Sequence, residues 1–470
     1  MIPLVEFPEL VQHYGPYFAN VFSAEAYVEF ERYISGLLVS ENKTVEGINR
    51  LFVNESRNQS SLNRLLTRSP YQVTEINKAR LGLLNSLQGT RMKPKGVLGL
   101  DDTLLTHFGH DFEGIACLYD HTSGTYEWAH NLVTLHYSDD QTDYPVLFRL
   151  WQPADLEKME TGLLAADIKI KASKQELKKR EPSKWRQYLL SLWRRHAHKP
   201  EVAALYDSKL QMAKAFLDQW QTMRGELDLP VTFDSWYTQP DFCHYLDQTL
   251  HMAYVGTLKD NAKVVLKTGQ EEVKSFANRL KQEHLAAVKA GKPAVFQPIV
   301  IPYKGGKEHY FSYCATHRIH TFGKQRLVIN FDQPDLSDDP VFYISNRLRW
   351  HAQGITRIRR HRWPVEVYHE EGKAEGLDQY QLRDLTAIER HVAFVAVVYS
   401  ILRAAQHDTV FQDRLQRELK LNLEGSAASW RRATQAQAFW SLLLFVSLRL
   451  SQGHSLDSIA APMLRALYGC

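Results

Sequence analysis

The apolar pattern of this 470-residue chain changes period near residue 95, and that change does most to limit its fold. Before it, apolar residues recur at helical spacing, as in "SAEAYVEFERYISGLL", where the leading Ser23 is placed to cap the helix. After it, "KGVLGLDDT", "GIACLYD", "WAHNLVTLHYS" and "YPVLFRLW" read as strands separated by turn residues such as "HTSGT". A charged helical stretch follows at about 155–225, then a short strand, a polar turn and a helix in "LPVTFDSWYTQPDFCHYLDQTL". Residues 260–340 mix one charged helix, "EEVKSFANRLKQEHLAAVKA", with the strands "AVFQPIVIPY", "HYFSYCATHRI" and "QRLVINF". One more strand, "PVFYISN", precedes helices that run to the C-terminus. Helices, then strands, then alternation pack most simply as an α/β fold, with a central mixed sheet flanked by helices.

A chain this long is expected to hold two to four domains. The longest apolar runs, 392–402 and 439–448, fall short of the roughly 20 residues a membrane span needs. Both are expected to be buried core helices, and no membrane association is expected. The start "MIPLVEFPEL" lacks a basic segment leading into an apolar one, so no signal peptide is expected. Cys117, Cys243, Cys314 and Cys470 are scattered with no paired spacing, which disfavours a zinc site or disulfide framework and fits a reducing cytosol. There is no phosphate-cradling glycine loop and no nucleophile elbow, so ATP-driven, dinucleotide and serine-nucleophile chemistry are disfavoured.

The net charge is only +4, but it is unevenly spread. Residues 1–41 hold six acids and one base, residues 42–90 three acids and seven bases, and residues 165–199 eleven bases and three acids. Basic blocks on a near-neutral chain suit local attraction to a polyanion, or simply solvated helix faces. Within the first basic block, two amphipathic stretches at about 44–53 and 59–67 flank a polar turn. That outline fits a helix-turn-helix, and equally an ordinary helical hairpin. As a helix-turn-helix, the second stretch presents Gln59, Asn63, Arg64 and Arg68 to DNA and buries Leu62, Leu65 and Leu66.

Two acids stand at strand ends: Asp101 after "VLGL" and Asp234 after "PVTF". Acids there point into the space where ligands bind in α/β folds, though an aspartate at a strand end also serves to cap a turn. Such acids can hold hard divalent cations through oxygen. Two cations about 3.5–4 Å apart stabilise the attacking and leaving oxygens of phosphoryl displacement. Arg362, Glu366 and Lys373 lie four and seven residues apart on one helical stripe, interrupted by Pro364, which either starts the helix or kinks it. The stripe suits a carboxylate for metal flanked by bases for phosphate, or an exposed salt-bridged face.

"RWPVEVYHEEGK", with "ISNRLRW" upstream, "GLDQYQLR" downstream, "LGLDDT" and "VTFDSWY", resembles the bacterial insertion-sequence DDE transposases of the cut-and-paste type. The resemblance covers about 95–405 and rests on these motifs falling in the same order. The gaps, 133 residues from Asp101 to Asp234 and 132 from Asp234 to Glu366, are long; the second accommodates the family's β-rich insertion. The resemblance implies a ribonuclease H-like core with helical N- and C-terminal regions. It makes Asp101, Asp234 and Glu366 the catalytic, metal-binding triad, and Arg362 and Lys373 DNA contacts. Asp102, Glu370 and Glu371 are the rivals. The family's tyrosine three residues before the signature arginine is replaced by Arg359, which would grip phosphate.

The implied organisation is a DNA-binding domain at 1–90 and the core at 91–259 and 341–405, with a basic helical segment at 155–225. The insertion would span 260–340 and a C-terminal helical region 406–470. The implied cofactor is Mg²⁺, with Mn²⁺ as substitute, two ions per site. The implied partners are double-stranded transposon ends and target DNA, and a second copy of the chain in the DNA complex. Arg194 and Arg195 in the basic segment would lie along DNA. Trp236, Trp350 and Tyr303 are candidates to stack on a flipped base, or core residues. A cytoplasmic, nucleoid-associated protein is expected. The alternatives are a structure-selective nuclease without strand transfer and a catalytically idle DNA-binding regulator.

Overall fold

A computed structural model describes residues 2–54, 57–420 and 425–468. Its strands are β1 (Val97–Thr106), β2 (Ala116–Asp120), β3 (Thr125–Ser138), β4 (Asp143–Trp151), β5 (Val231–Phe233), β6 (Tyr254–Thr257), β7 (Lys263–Leu266), β8 (Gly269–Glu272), β9 (Gln297–Tyr303), β10 (Gly306–Ile319), β11 (Gly323–Phe331) and β12 (Val341–Ser345). The helices used below are α1 (Ala24–Val39), α2 (Gln59–Thr67), α3 (Val73–Ser86), α4 (Pro182–His196), α5 (Val273–Lys289), α6 (Ala352–Arg360), α7 (Trp363–Ala374), α8 (Leu385–Ala405), α9 (Ala427–Ser451) and α10 (Leu456–Tyr468).

The centre of the sheet has the order β4-β3-β1-β5-β6, with β1, β5 and β6 mutually parallel. This is the ribonuclease H-like arrangement. The first residues of β1, "VLGL", and all of β5 are buried, as continuous apolar runs are in parallel strands covered on both faces. Beyond β6 the sheet continues antiparallel through β12, β11 and β10 to β7 and β8, with β9 beside β10. The β7–β8 hairpin lies in "KVVLKTGQEE", which carries too few apolar residues to announce two strands.

The chain divides into two compact units: residues 1–101, 134–148 and 220–470 form the first, and 102–133 and 149–219 the second. In the first unit α8 is buried along nearly its whole length, as befits a helix apolar on every side. It is long and apolar enough to cross a bilayer, yet it is packed inside protein; residues flanking the 392–402 run extend it to 21 residues. Asp384 caps its start by accepting from the Ala387 N–H at 3.0 Å. Its Arg390 donates to the carbonyls of Leu65, Leu66, Ser69 and Tyr71. These include carbonyls left unpaired at the end of α2, so one guanidinium both caps that helix and fixes it to the core. Arg80 of α3 reaches Ser400 of α8 at 3.0 Å.

The stretch expected as the first partner of α2 is helical only over Val45–Asn49. The expectation that both long apolar runs are buried holds for 392–402 and fails for 439–448. Phe439, Trp440, Leu443, Leu444 and Leu448 of α9 are each more than two-fifths exposed. Only the first half of α9 is covered, through Trp430, Ala433, Thr434, Gln437 and Ala438; apolar character supplied no partner for the rest.

In the second unit, Met159, Leu163, Trp185, Leu189, Trp193 and Val202 form a helical core. The apolar spacing of α4 turns Trp185, Leu189 and Trp193 inward and leaves Arg194 and Arg195 exposed. The β2–β3 hairpin of the same unit pairs Cys117 with Trp128 and Tyr119 with Tyr126.

Candidate active site

The register of two strands brings the first two acids together. β1 and β5 run parallel with Leu98 opposite Val231, Gly99 opposite Thr232 and Leu100 opposite Phe233. The next residue on each strand is therefore Asp101 and Asp234, with the strands roughly 4.8 Å apart. Asp234 follows the end of β5 as expected, but β1 continues to Thr106, so Asp101 lies within its strand and not at its end. Asp234 also caps the turn that follows: its Oδ1 accepts from the N–H groups of Trp236 at 3.0 Å and Tyr237 at 3.1 Å. The turn-cap role of this aspartate is therefore present, with one oxygen fixing the turn and the carboxylate at the strand end.

Asp101 and Asp102 have different surroundings, because adjacent residues face opposite sides of a sheet. Asp102 Oδ2 accepts from Lys209 Nζ at 2.8 Å and Asn131 Nδ2 at 2.7 Å, within the second unit. Asp101 belongs to the first unit and bonds Arg362.

The third acid arrives on α7. Pro364 occupies its first turn, where a missing N–H costs nothing, and Arg362 is its N-cap residue. Pro364 therefore starts this helix rather than kinking it. The junction between α6 and α7 crosses β1 at Gly99. A Cβ there would meet the Arg362 Cα at 3.5 Å and the His361 carbonyl at 3.6 Å, so a branched side chain would push the junction away. Glu366 stands one turn into α7, and Arg362 donates through Nη1 to Asp101 Oδ2 and through Nη2 to Glu366 Oε1. Burial opposes the Arg362 charge, but the carboxylates of Asp101, Glu366 and Asp234 hold its pKa above the usual guanidinium value. Two acids thus share one cation, and Asp234, on the strand beside Asp101, adds to its electrostatic surroundings.

These donors are all hard carboxylate oxygens, the set that suits Mg²⁺ or Mn²⁺. With the guanidinium between Asp101 and Glu366, no three His, Cys, Asp or Glu side chains among the described residues form a metal cage.

Behind α7 lies a buried polar layer that sequence reasoning missed. His361 Nδ1 meets Ser138 Oγ at 2.9 Å, and burial lowers its pKa to about 4. His369 Nε2 meets Thr134 Oγ1 at 3.1 Å, and burial lowers its pKa to about 3. Glu371 pairs with Arg403 at 3.2 Å. Arg403 also reaches Asp143 at 3.2 Å, as do Lys304 at 3.1 Å and the Tyr399 hydroxyl at 2.6 Å. Burial opposes the Asp143 charge, yet Arg403, His136 and Lys304 hold its carboxyl well below the usual range. Glu371 is thus tied to this layer, and Glu370 is exposed. Neither rival of Glu366 bonds Arg362 among the described residues. The only sequence signal for the layer was polar residues inside apolar runs, such as Arg403 at the end of α8.

The remaining candidates are dispersed. Lys373 is half-buried on α7 and makes no ion pair within 4 Å among the described residues. Arg359 is half-buried: its Nε donates to Thr257 Oγ1 at 2.8 Å and its guanidinium lies over Tyr343. Burial lowers its pKa to about 10. On α2, Gln59 and Asn63 are half-buried, Arg64 is exposed, and Arg68 is exposed just beyond it. Trp236 is 40% exposed beside Asp234, Trp350 packs partly against Ala352 and Ile355, and Tyr303 lies beneath Arg360. Trp363, next to Arg362, is exposed and was missed, although it stands inside the quoted motif.

A family profile described as "DDE superfamily endonuclease" matches residues 17–275. The match includes Asp101 and Asp234 and ends before Glu366. No curated protein matches the chain.

Proposed function

This chain belongs to the DDE superfamily endonucleases, and from that premise we propose that it is a bacterial insertion-sequence transposase. It binds the terminal inverted repeats of a mobile element, cleaves there, and joins the freed 3′-hydroxyl ends to target DNA. The observation that carries this reading is the sharing of Arg362 by Asp101 and Glu366, with Asp234 on the strand beside Asp101.

Asp101, Asp234 and Glu366 are the residues that would hold divalent cations. A bound pair of Mg²⁺ ions, or Mn²⁺ in their place, supplies activation of the attacking oxygen and neutralisation of charge on the leaving one. Strand register fixes the spacing of the two aspartates, and α7 brings Glu366 to the same side. Lys373 and Arg362 hold the phosphate. In the first step water attacks the phosphodiester and the P–O3′ bond breaks, leaving a 3′-hydroxyl. In the second, that hydroxyl attacks a target phosphodiester and displaces its 3′ oxygen.

The outer positions of α2 (Gln59, Asn63, Arg64) with Arg68, and the exposed Arg194 and Arg195 of α4, supply the wider DNA contacts. Arg359, held by Thr257 and lying over Tyr343, is a further cation to grip phosphate. The domain roles follow: 1–90 binds DNA, 91–259 and 341–405 form the core, 260–340 is the insertion, and 406–470 serves assembly. The uncovered stripe Phe439, Trp440, Leu443, Leu444 and Leu448 supports a homodimer on DNA. The cytoplasm, at nucleoid DNA, is the compartment this activity requires.

The test is a Mg²⁺- or Mn²⁺-dependent assay on DNA carrying the element's own ends. Wild type should nick and then join, and Asp234→Ala and Glu366→Gln should lower cleavage by at least about 10³-fold. Equal cleavage by either variant would reject the site. Cleavage without joining would favour the structure-selective nuclease, and binding without cleavage the idle regulator.

A further inference from the structure

We propose that Arg362 competes with divalent cations for the acids and leaves them as cations enter. This rests on the reading of Asp101, Asp234 and Glu366 as metal ligands. Three carboxylates drawn together by strand register and helix packing repel one another when nothing lies between them. Arg362 answers that repulsion with a planar fork whose two ends reach Asp101 Oδ2 and Glu366 Oε1. A divalent cation held by the same carboxylates, at roughly 2.0–2.1 Å for Mg²⁺, would stand against the positive guanidinium that already bonds one oxygen of each. Metal and Arg362 therefore compete for the acids.

Arg362 is also placed so that the acids alone hold its guanidinium. Its Nε is buried with no acceptor among the described residues. Nearby Arg359 adds repulsion rather than a partner. As the N-cap residue of α7, Arg362 lies outside the helix, so its side chain can turn without unwinding α7. A guanidinium released by metal is then available to a phosphate at the same site. Occupation of the acids by cations and release of the arginine to DNA become one exchange, which keeps the free protein's acids charge-balanced until substrate and metal arrive together.

The experiment measures Mn²⁺ affinity of the full chain without DNA, by electron paramagnetic resonance of free Mn²⁺, for wild type, Arg362→Met, Arg362→Lys and Asp234→Asn. Removing a charge-assisted bridge that competes for the ligands should tighten Mn²⁺ binding by about tenfold or more in Arg362→Met. Arg362→Lys keeps the charge but lacks the planar two-ended fork and its reach, and should fall between. Thermal unfolding gives the second readout: Mn²⁺ should raise the midpoint of Arg362→Met by more than it raises that of wild type. Mn²⁺ binding in Arg362→Met that equals or is weaker than wild type, while Asp234→Asn loses binding, overturns the exchange and leaves the metal site standing. If Arg362→Met does not fold, Arg362→Lys decides: tighter than wild type supports the exchange, equal or weaker overturns it. Absence of specific Mn²⁺ binding in wild type and every variant overturns both the exchange and the metal reading.

Discussion

Asp143→Asn tests whether the polar layer behind α7 is a structural requirement. Asp143 is 2% exposed and receives Arg403 at 3.2 Å, Lys304 at 3.1 Å and the Tyr399 hydroxyl at 2.6 Å. Removing one partner of a buried ion pair costs about 3–5 kcal/mol, because the other charge stays behind without compensation. Here Arg403 retains Glu371, and Lys304 is partly in water, so the lower end, about 3 kcal/mol, is expected. Burial works against the Asp143 charge, and Arg403, His136 and Lys304 more than offset it, so its folded-state pKa lies below the ordinary carboxylate value. The stabilisation is therefore complete above the unfolded value, near pH 4, and is lost as pH falls through the lower folded-state value. Urea unfolding at pH 7 should show the loss. A titration downward from pH 5 should show that Asp143→Asn lacks part of the acid-induced decline of wild type. The double variant Asp143→Asn with Arg403→Met should be less destabilised than the sum of the singles, because the stranded cation is gone. A loss under about 0.5 kcal/mol at pH 7, or strict additivity, would show that the layer carries no coupled charge.

Three further outcomes follow from single contacts. Arg390→Met removes four donations to the carbonyls around the end of α2 and the segment after it. It should cost about 3 kcal/mol in urea unfolding and raise amide exchange in α2 before the sheet. Leu443→Glu with Leu448→Glu alters exposed positions. It should leave unfolding within about 0.5 kcal/mol per site and reduce the proposed dimer on DNA to one chain per DNA end in sedimentation; an unchanged complex would reject that surface. Arg194→Glu with Arg195→Glu should weaken DNA binding and flatten the slope of log affinity against log salt by about two units. An unaltered slope would remove α4 from the DNA path.

How much was legible depended on the range of the interaction. Strands such as β1 and β5 announced themselves because their neighbours in sequence decide their burial. Asp101 and Asp234 were both read as strand-end acids; Asp234 does stand past β5 and caps the turn there, whereas β1 runs on to Thr106 and holds Asp101 inside it. What made them a pair is the parallel register Leu100 opposite Phe233, a contact across more than a hundred residues that no local pattern contains. The motif order supplied that information indirectly. Nothing supplied it for Asp143, His136 and Lys304, whose meaning exists only once β3, β4, α8 and the β9–β10 turn are assembled.

The two long apolar runs make the same point more sharply. In sequence, 392–402 and 439–448 are equally hydrophobic and equally free of acids. The difference lies in what surrounds them. α8 carries Arg390, His391, Ser400 and Arg403 among its apolar residues, and each has a protein partner where it stands; a helix with that many placed polar contacts is committed to one interior position. The second half of α9 has Phe439, Trp440, Leu443, Leu444 and Leu448 facing out and few polar groups to fix it. Its Arg449 folds back over Phe445 of the same helix. A stripe of large apolar side chains at helical spacing is costly to leave in water, at about 25 cal/mol for each Å². Burial of that stripe is not achieved within the described residues of this chain, and the homodimer proposed above is the association that would achieve it.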